Sequence, residues 1–254
     1  MPEPECPEDP TLAVSWAPGY EIAARSFANE NGLPIINEFS QWRGLCFELT
    51  AHGWQLQDAS GEMGTPFSLE FSARRVSPGR DPLLRALGKC VSVLDLTAGW
   101  AGDALHMAAS GRTVTAVERN PVVHQLLLQA QRRLSDAELA DRLRFLHMDA
   151  AAPDFAEQIA LRLGVEPDFE LVYLDPMFVS KKAASAKSRK PMRLMQRLAE
   201  MPSEENEHLL LTNALKLARR RVVVKRASKA PCLDERRPQG SIRSKLLRFD
   251  LYLP

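Results

Sequence analysis

Apolar residues from about position 82 onward recur in two alternating rhythms. Short apolar runs at 91–96, 113–117, 143–147, 171–174, 221–224 and 246–252 read as buried strands. Before and between them, 82–87, 103–110, 121–134, 155–163 and 203–218 read as helices. In 121–134, Val122, Val123, Leu126, Leu127 and Ala130 share one side at helical spacing. Such alternation predicts an α/β fold, a parallel sheet covered on both faces with ligands at the carboxyl ends of its strands. The preceding residues follow a different pattern. Residues 1–14 are rich in proline and acid with little to bury, which predicts poor order. From 19 to about 71 the pieces are short and strand-like. Residues 45–50 and 54–57 flank Ala51-His52-Gly53 as a hairpin, and 65–71 reads as one more strand. The organisation expected is a small α/β lobe and turn-rich basic linker over 1–80, then a main domain over 81–254. No internal repeat is visible.

A chain of 254 residues suits one large domain with a small appendage. No apolar run reaches the roughly 18 residues of a membrane helix, and the N-terminus lacks the basic start and apolar core of a secretory signal. Cys6, Cys46, Cys90 and Cys232 are scattered without a CxxC pair, and the five histidines are equally dispersed. The expectation is therefore no metal, no membrane and a reducing, cytoplasmic setting. The net charge of +1 hides a split. Residues 1–70 hold eleven acids and two bases, whereas 71–254 hold 31 bases and 21 acids, a net of +10. A basic C-terminal two-thirds suits a polyanionic substrate.

Two segments carry chemistry. The first, Asp95-Leu-Thr-Ala-Gly99-Trp-Ala-Gly102-Asp103, joins the first main-domain strand to its helix. Gly99 and Gly102 allow tight turns and close ligand approach. Glu118 ends the next strand, where an acid can hold both hydroxyls of an adenosine ribose. Asp149 follows the third strand. This spacing serves NAD and S-adenosylmethionine (SAM) alike, but nothing in it demands a pyrophosphate cradle, so SAM is favoured. The second segment is Asp175-Pro176-Met177-Phe178 at the end of another strand. The Asp carboxylate and the Pro176 carbonyl can each accept one N–H of a planar amine, and Phe178 offers a face for a base to stack on. Directly after it Lys181, Lys182, Lys187, Arg189 and Lys190 form a basic stretch free of acids, suited to phosphates. Lys225 and Arg226 stand at a further strand end, equally suited to nucleic acid or to an internal ion pair.

At these residues the chain resembles a known family, the bacterial small-subunit (16S) ribosomal RNA guanine-N2 methyltransferases (RsmJ). The resemblance rests on the Asp95–Gly99 loop with Gly102-Asp103, Val117-Glu-Arg-Asn-Pro-Val-Val123, Val172-Tyr-Leu-Asp-Pro-Met-Phe178, residues 190–196, Arg221-Val-Val-Val-Lys-Arg226 and Arg248-Phe-Asp-Leu-Tyr252. It covers 90–254 well and the N-terminal lobe loosely. It implies a Rossmann-like class I SAM-dependent fold, SAM as cofactor, and small-subunit rRNA or the 30S particle as partner. The cofactor contacts it implies are Asp103, Glu118, Arg119 and Asp175, with Asp149 and Ala150 at the third strand. The chain departs from the family pattern at Gly102, where arginine is usual, at Asp149-Ala150, where small hydroxyl residues are usual, and at Val179-Ser180, where proline and histidine are usual. The alternatives are a DNA adenine-N6 methyltransferase, which uses a similar acid-Pro-x-aromatic motif, and a non-catalytic rRNA-binding assembly factor.

Overall fold

The structure, a computed structural model, describes residues 12–37, 42–72, 81–176, 189–198 and 204–254. The N-terminal part is a three-stranded sheet in the order β1-β2-β3, built from β1 (Leu12–Trp16), β2 (Leu45–Thr50) and β3 (Gly53–Asp58). α1 (Glu21–Glu30) packs on β1. Residues 12–14, expected to be poorly ordered, are instead part of β1. Ala13 and Val14 are fully buried, and β1 runs parallel to β2. The expected hairpin forms from β2 and β3, turning at Gly53 with φ +88°. The expected strand at 65–71 reduces to one bridge, in which Leu56 and Phe67 exchange backbone hydrogen bonds of 2.8 Å. Pro66 beside it has no N–H to extend a ladder. Residues 73–80 of the basic linker lie outside the described residues.

The main sheet has seven strands in the order β6-β5-β4-β7-β8-β10-β9. They are β4 (Ser92–Asp95), β5 (Thr113–Glu118), β6 (Leu143–His147), β7 (Phe169–Leu174), β8 (Ala218–Ala227), β9 (Gly240–Arg243) and β10 (Leu247–Tyr252). The five from β6 to β8 are parallel, while β10 and β9 are antiparallel additions at one edge. The order reverses between β4 and β7, a topological switch point where ligands of such sheets bind.

Alternation along each strand feeds two cores. Val93, Leu171, Tyr173 and Val223 face one side, with α2 (Pro82–Leu87), α3 (Gly102–Ala109) and α4 (Pro121–Arg132). Leu94, Val172, Leu174, Val222 and Val224 face the other, with α6 (Phe155–Leu163) and α8 (Glu204–Leu217). α5 (Ala137–Asp141) and α7 (Lys190–Leu198) complete the chain. Caps explain two of the helix starts. Asp81 accepts from Leu84 N–H before α2, and Asn120 accepts from the N–H groups of Val122 and Val123 before α4, each with proline next.

The small sheet is not a separate body. Val14, Phe47, Trp54 and Leu56 belong to the same buried cluster as Leu126 and Leu127 of α4. Phe47 stacks on Trp54 at 4.3 Å, and Phe27 tilts against both. Buried Gln129 of α4 holds Trp54 by both backbone groups. Its Oε1 accepts from Trp54 N–H at 2.7 Å, and its Nε2 donates to the Trp54 carbonyl at 2.9 Å. We expect Gln129→Leu to strand both Trp54 groups and lower stability by about 2–4 kcal/mol, measured by urea denaturation. A loss under half a kcal/mol would show that the two sheets are joined by apolar packing alone.

β4 ends at Asp95, which is 1% exposed. Its Oδ1 accepts from Thr97 N–H at 2.9 Å and so shapes the loop into α3. Burial pushes this carboxyl up to about 8; the Thr97 N–H opposes the shift, and Asp103, Asp175 and Glu118 add to it by repulsion. The folded state therefore holds the proton more tightly than the unfolded chain, whose value is 3.8. The sign is then fixed. The contribution of Asp95 to stability is fullest below about pH 4 and is lost as pH rises through 8, by at most about 1.4 kcal/mol per unit. Asp95→Asn keeps the acceptor and removes the titration. Its stability relative to wild type is expected to rise between pH 5 and pH 8 in urea titrations; an unchanged difference would mean that Asp95 is already ionised.

A candidate cofactor and target-base cleft

A cleft of about 570 Å³ opens at the carboxyl ends of β4 to β8, at the switch point. Its size lies within the range of small-molecule and cofactor sites. The loop from Asp95 to Asp103 forms its floor, held by backbone bonds to both neighbouring strands. Leu96 N–H donates to the Tyr173 carbonyl and Ala98 N–H to the Val117 carbonyl, each at 3.0 Å. Gly99 has φ +51°, and the Met195 methyl lies 3.6 Å from where its Cβ would be. Gly102, expected to need glycine's freedom, does not. Its φ is ordinary and a Cβ there would meet nothing within 4 Å. Ala101 takes the left-handed shape instead, at φ 55° and fully buried.

Glu118 ends β5 with both carboxylate oxygens fixed. Oε2 accepts from Gly99 N–H at 2.9 Å and Oε1 from Asn120 N–H at 2.8 Å. Burial raises its pKa while these amides oppose the shift. Each oxygen keeps a lone pair for a diol. Arg119 lines the cleft beside it. Asp149 and Ala150 follow β6 on the same wall. Asp149 is exposed and caps Ala151 N–H, whereas Ala150 is buried and its carbonyl accepts from Asn213. Asp95, Gly99, Gly102, Asp103, Glu118, Arg119, Asp149, Ala150 and Asp175 thus line one cavity. Val117, Met148, Ala151 and Leu210 supply apolar wall. A carboxylate with lone pairs to spare beside an apolar slot has the chemistry to hold an adenosine.

Asp175 and Pro176 follow β7 and face the same cleft. Asp175 N–H donates to Thr97 Oγ1 at 2.6 Å. The Asp175 side chain is 37% exposed. Its Oδ2 accepts from Lys225 Nζ at 2.8 Å, and Oδ1 takes no hydrogen bond among the described residues. The same Lys225 ammonium reaches Asp103 Oδ2 at 2.7 Å, to which the Tyr173 hydroxyl also donates at 2.6 Å. Burial raises the Asp175 pKa, opposed by Lys225 and assisted by Asp103. The Lys225 pKa is raised because its two carboxylates outweigh burial. Phe178, expected to stack a base, lies outside the described residues, as do Lys181, Lys182 and Lys187.

Three of the expected RNA contacts are placed otherwise. Lys225 is committed to the two carboxylates inside the cleft. Arg226 is 2% exposed, its guanidinium donating to the carbonyls of Pro231 and Cys232. Neighbours on a strand point to opposite faces, so both cations of this pair turn inward on different sides of the sheet. Lys190 donates to the Thr65 carbonyl on the N-terminal lobe. Arg189 is exposed.

α7 was not foreseen. Met192, Met195 and Leu198 line the cleft from above. The helix is tied to Asp58 through Arg197 at 2.9 Å, to Trp100 Nε1 through the Pro191 carbonyl at 2.8 Å, and to Asn120 through the Leu198 carbonyl at 3.1 Å. The available signal was the spacing of Met192, Leu194, Met195 and Leu198 behind Pro191. Asn206, Glu207 and Leu210 of α8 were likewise missed as cleft residues. No group of three or more acids, histidines or cysteines suited to a metal occurs among the described residues. Among them no helix is long and apolar enough to cross a membrane.

Comparison with known proteins agrees with this architecture. Residues 56–254 match the family model SAM_MT, which describes SAM-dependent methyltransferases. A ribosomal RNA small subunit methyltransferase J of Thioalkalivibrio sulfidiphilus is 34% identical over 242 residues, covering 91% of this chain and 92% of that one. The protein of the same name in Nitrosococcus oceani is 35% identical over 247 residues, covering 91% and 93%. A crystal structure of a SAM-dependent methyltransferase from Neisseria gonorrhoeae shares the fold, with a TM-score of 0.70 at 24% identity over 95% of this chain and 96% of that one. By the family model and these relatives, the chain belongs to the ribosomal RNA small subunit methyltransferase J family of SAM-dependent methyltransferases.

Proposed function

We propose that this protein transfers a methyl group from SAM to the exocyclic N2 amine of a guanosine in small-subunit rRNA. The observation that carries this reading is the shared cleft: Asp175 and Pro176 open onto the cavity that the Gly99 loop and Glu118 prepare for a nucleoside cofactor. The family relationship supplies the rRNA substrate. Residues 81–254 form the methyl-transfer domain and 1–80 the lobe that braces α7. The protein acts in the cytoplasm on small-subunit rRNA, naked or in the 30S particle.

Bound SAM supplies an electrophilic methyl on a sulfonium. Glu118 would hold the ribose hydroxyls of SAM, and Asp149 and Ala150 would line the adenine end of the cleft. The target amine is a poor nucleophile because its lone pair is delocalised into the ring. Asp175 Oδ1 and the Pro176 carbonyl accept its two N–H groups, aim the nitrogen and stabilise the positive charge that grows on it. The nitrogen lone pair becomes the new C–N bond, the C–S pair stays on sulfur, and the surplus amine proton leaves through the Asp175 carboxylate. A paired base must first be flipped out.

Lys225 is the positioning residue of this scheme. Its charge favours the ionised form of Asp175 beside Asp103, and only the ionised form is a pure acceptor. Asp175→Ala is expected to abolish methylation while SAM affinity falls much less. Transfer of labelled methyl groups to undermethylated small subunits, with calorimetry for SAM, checks both; near-wild-type turnover would remove Asp175 from the mechanism. Lys225→Met is expected to shift the acid limb of the rate profile to higher pH, because the Asp175 pKa rises further without its cation, and Lys225→Arg to restore it. An acid limb that stays in place in Lys225→Met would mean that the lysine is structural only. Mapping of rRNA modifications with and without the gene tests the target. A DNA substrate methylated in preference to rRNA would favour the adenine-N6 reading.

A further inference from the structure

Lys225 and Arg226 turn inward and Lys190 bonds the Thr65 carbonyl, which leaves Arg189 as the one expected RNA contact that is both described and exposed. A second set of cations stands on the other side. Lys229, Arg237, Arg243 and Lys245 are exposed, and among the described residues none makes an ion pair. Two acids lie in the same region. Asp234 is engaged by His208 and Arg236, and Glu235 is exposed.

Topology brings these cations to the mouth of the cleft. β8 runs parallel to β7, so its carboxyl end, like Asp175, lies on the cleft side. β10 returns antiparallel with Leu247 opposite Ala227 and Arg248 opposite Arg226, and Arg243 of β9 stands opposite Arg248. The Arg243–Leu246 turn therefore projects from the same end of the sheet, and Ser228 N–H donates to the Leu246 carbonyl at 2.9 Å. Ser228 is three residues beyond Lys225, about 10 Å along the strand. Arg243 is two strand spacings from Arg226, again about 10 Å. That distance is about three nucleotides of one strand at 3.4 Å each.

The rim is also rigid. The buried Arg248 guanidinium donates to the carbonyls of Ala227, Ser228, Ala230 and Pro231, and Arg226 to those of Pro231 and Cys232. Asp250 pairs with Arg248 at 2.9 Å. Two buried cations thus fix the backbone of 227–232, the loop that carries Lys229. A fixed loop presents its charge with little ordering cost on binding.

We propose that the β9–β10 turn and the 228–237 loop form an RNA-backbone clamp, with Lys229, Arg237, Arg243 and Lys245 on the phosphates that flank the target guanosine. The clamp rests on the rRNA reading of the cleft and names where the rest of that strand lies. The test is the triple variant Arg237→Glu, Arg243→Glu, Lys245→Glu, measured against a labelled small-subunit rRNA transcript across a salt series. A control variant, Arg85→Glu, Lys89→Glu, Arg162→Glu, carries the same charge change at exposed positions outside the turn and the loop. The clamp variant is expected to bind the transcript about tenfold or more weakly. Its slope of log affinity against log salt should shrink by about two, at roughly 0.7 per phosphate contact on a single strand. Its KM for RNA should rise in parallel, its SAM affinity should stay within twofold, and the control should keep the wild-type slope. Equal affinity and slope in clamp variant and wild type would overturn the clamp, and methyl transfer by both would leave the rRNA reading standing. Wild-type protein that binds the transcript with the steeper slope yet transfers no methyl would overturn that reading and keep the clamp. Loss of binding to assembled subunits alone, with unchanged affinity for the transcript, would assign the patch to a ribosomal protein and overturn the clamp.

Discussion

One ammonium group holds the two halves of the cleft together. Lys225 comes from β8, Asp175 from the end of β7, and Asp103 from the first turn of α3, and the lysine bonds both acids within 2.8 Å. Asp103, Asp175, Asp95 and Glu118 converge on this cavity. Carboxylates so close in a partly dry site cannot all stay ionised without a cation. The protein resolves this unevenly. Asp95, sealed from solvent, is pushed up to about 8, whereas Asp175 shares the charge of Lys225 and keeps an edge toward the cavity.

A second constraint comes from outside the Rossmann-like sheet. α7 covers the Asp95–Asp103 loop, and its fastenings lead both ways. Arg197 and Lys190 reach Asp58 and Thr65 of the N-terminal lobe, while Trp100 and Asn120 hold its backbone from the cleft side. Gln129 ties the same lobe to α4, which begins two residues after Glu118 at Asn120 and Pro121. The small sheet thus braces the roof and one wall of the site. This gives its shared apolar core with the main sheet a functional meaning.

Much of this was legible in the sequence, for physical reasons. Strands β4, β5 and β7 are short apolar runs, buried over most of their length, and Asp95, Glu118 and Asp175 stand where the chain leaves the sheet. Glu118 and Asp175 could be placed from that grammar alone. Side-chain direction was less legible. Lys225 and Arg226 at a strand end look like surface cations, but only the packing around Asp250, Arg248 and Asp103 shows that both turn inward. α7 hid in a basic stretch because its apolar face is only four residues. β1 hid behind an acidic, proline-rich start, and its burial depends on β2, more than thirty residues away in sequence. Gly102 was read as a turn residue, yet the left-handed position fell one residue earlier, on Ala101.

The switch point between β4 and β7 divides the chemistry as well as the strand order. The Gly99 loop and Glu118 come from β4 and β5, whereas Asp175 and Lys225 come from β7 and β8. The antiparallel pair β10 and β9 joins the sheet only through β8, at its free edge, and α2 packs against both strands. Among the described residues neither strand lines the cleft. A lineage of such enzymes can therefore vary this edge while keeping the lining of the cleft unchanged.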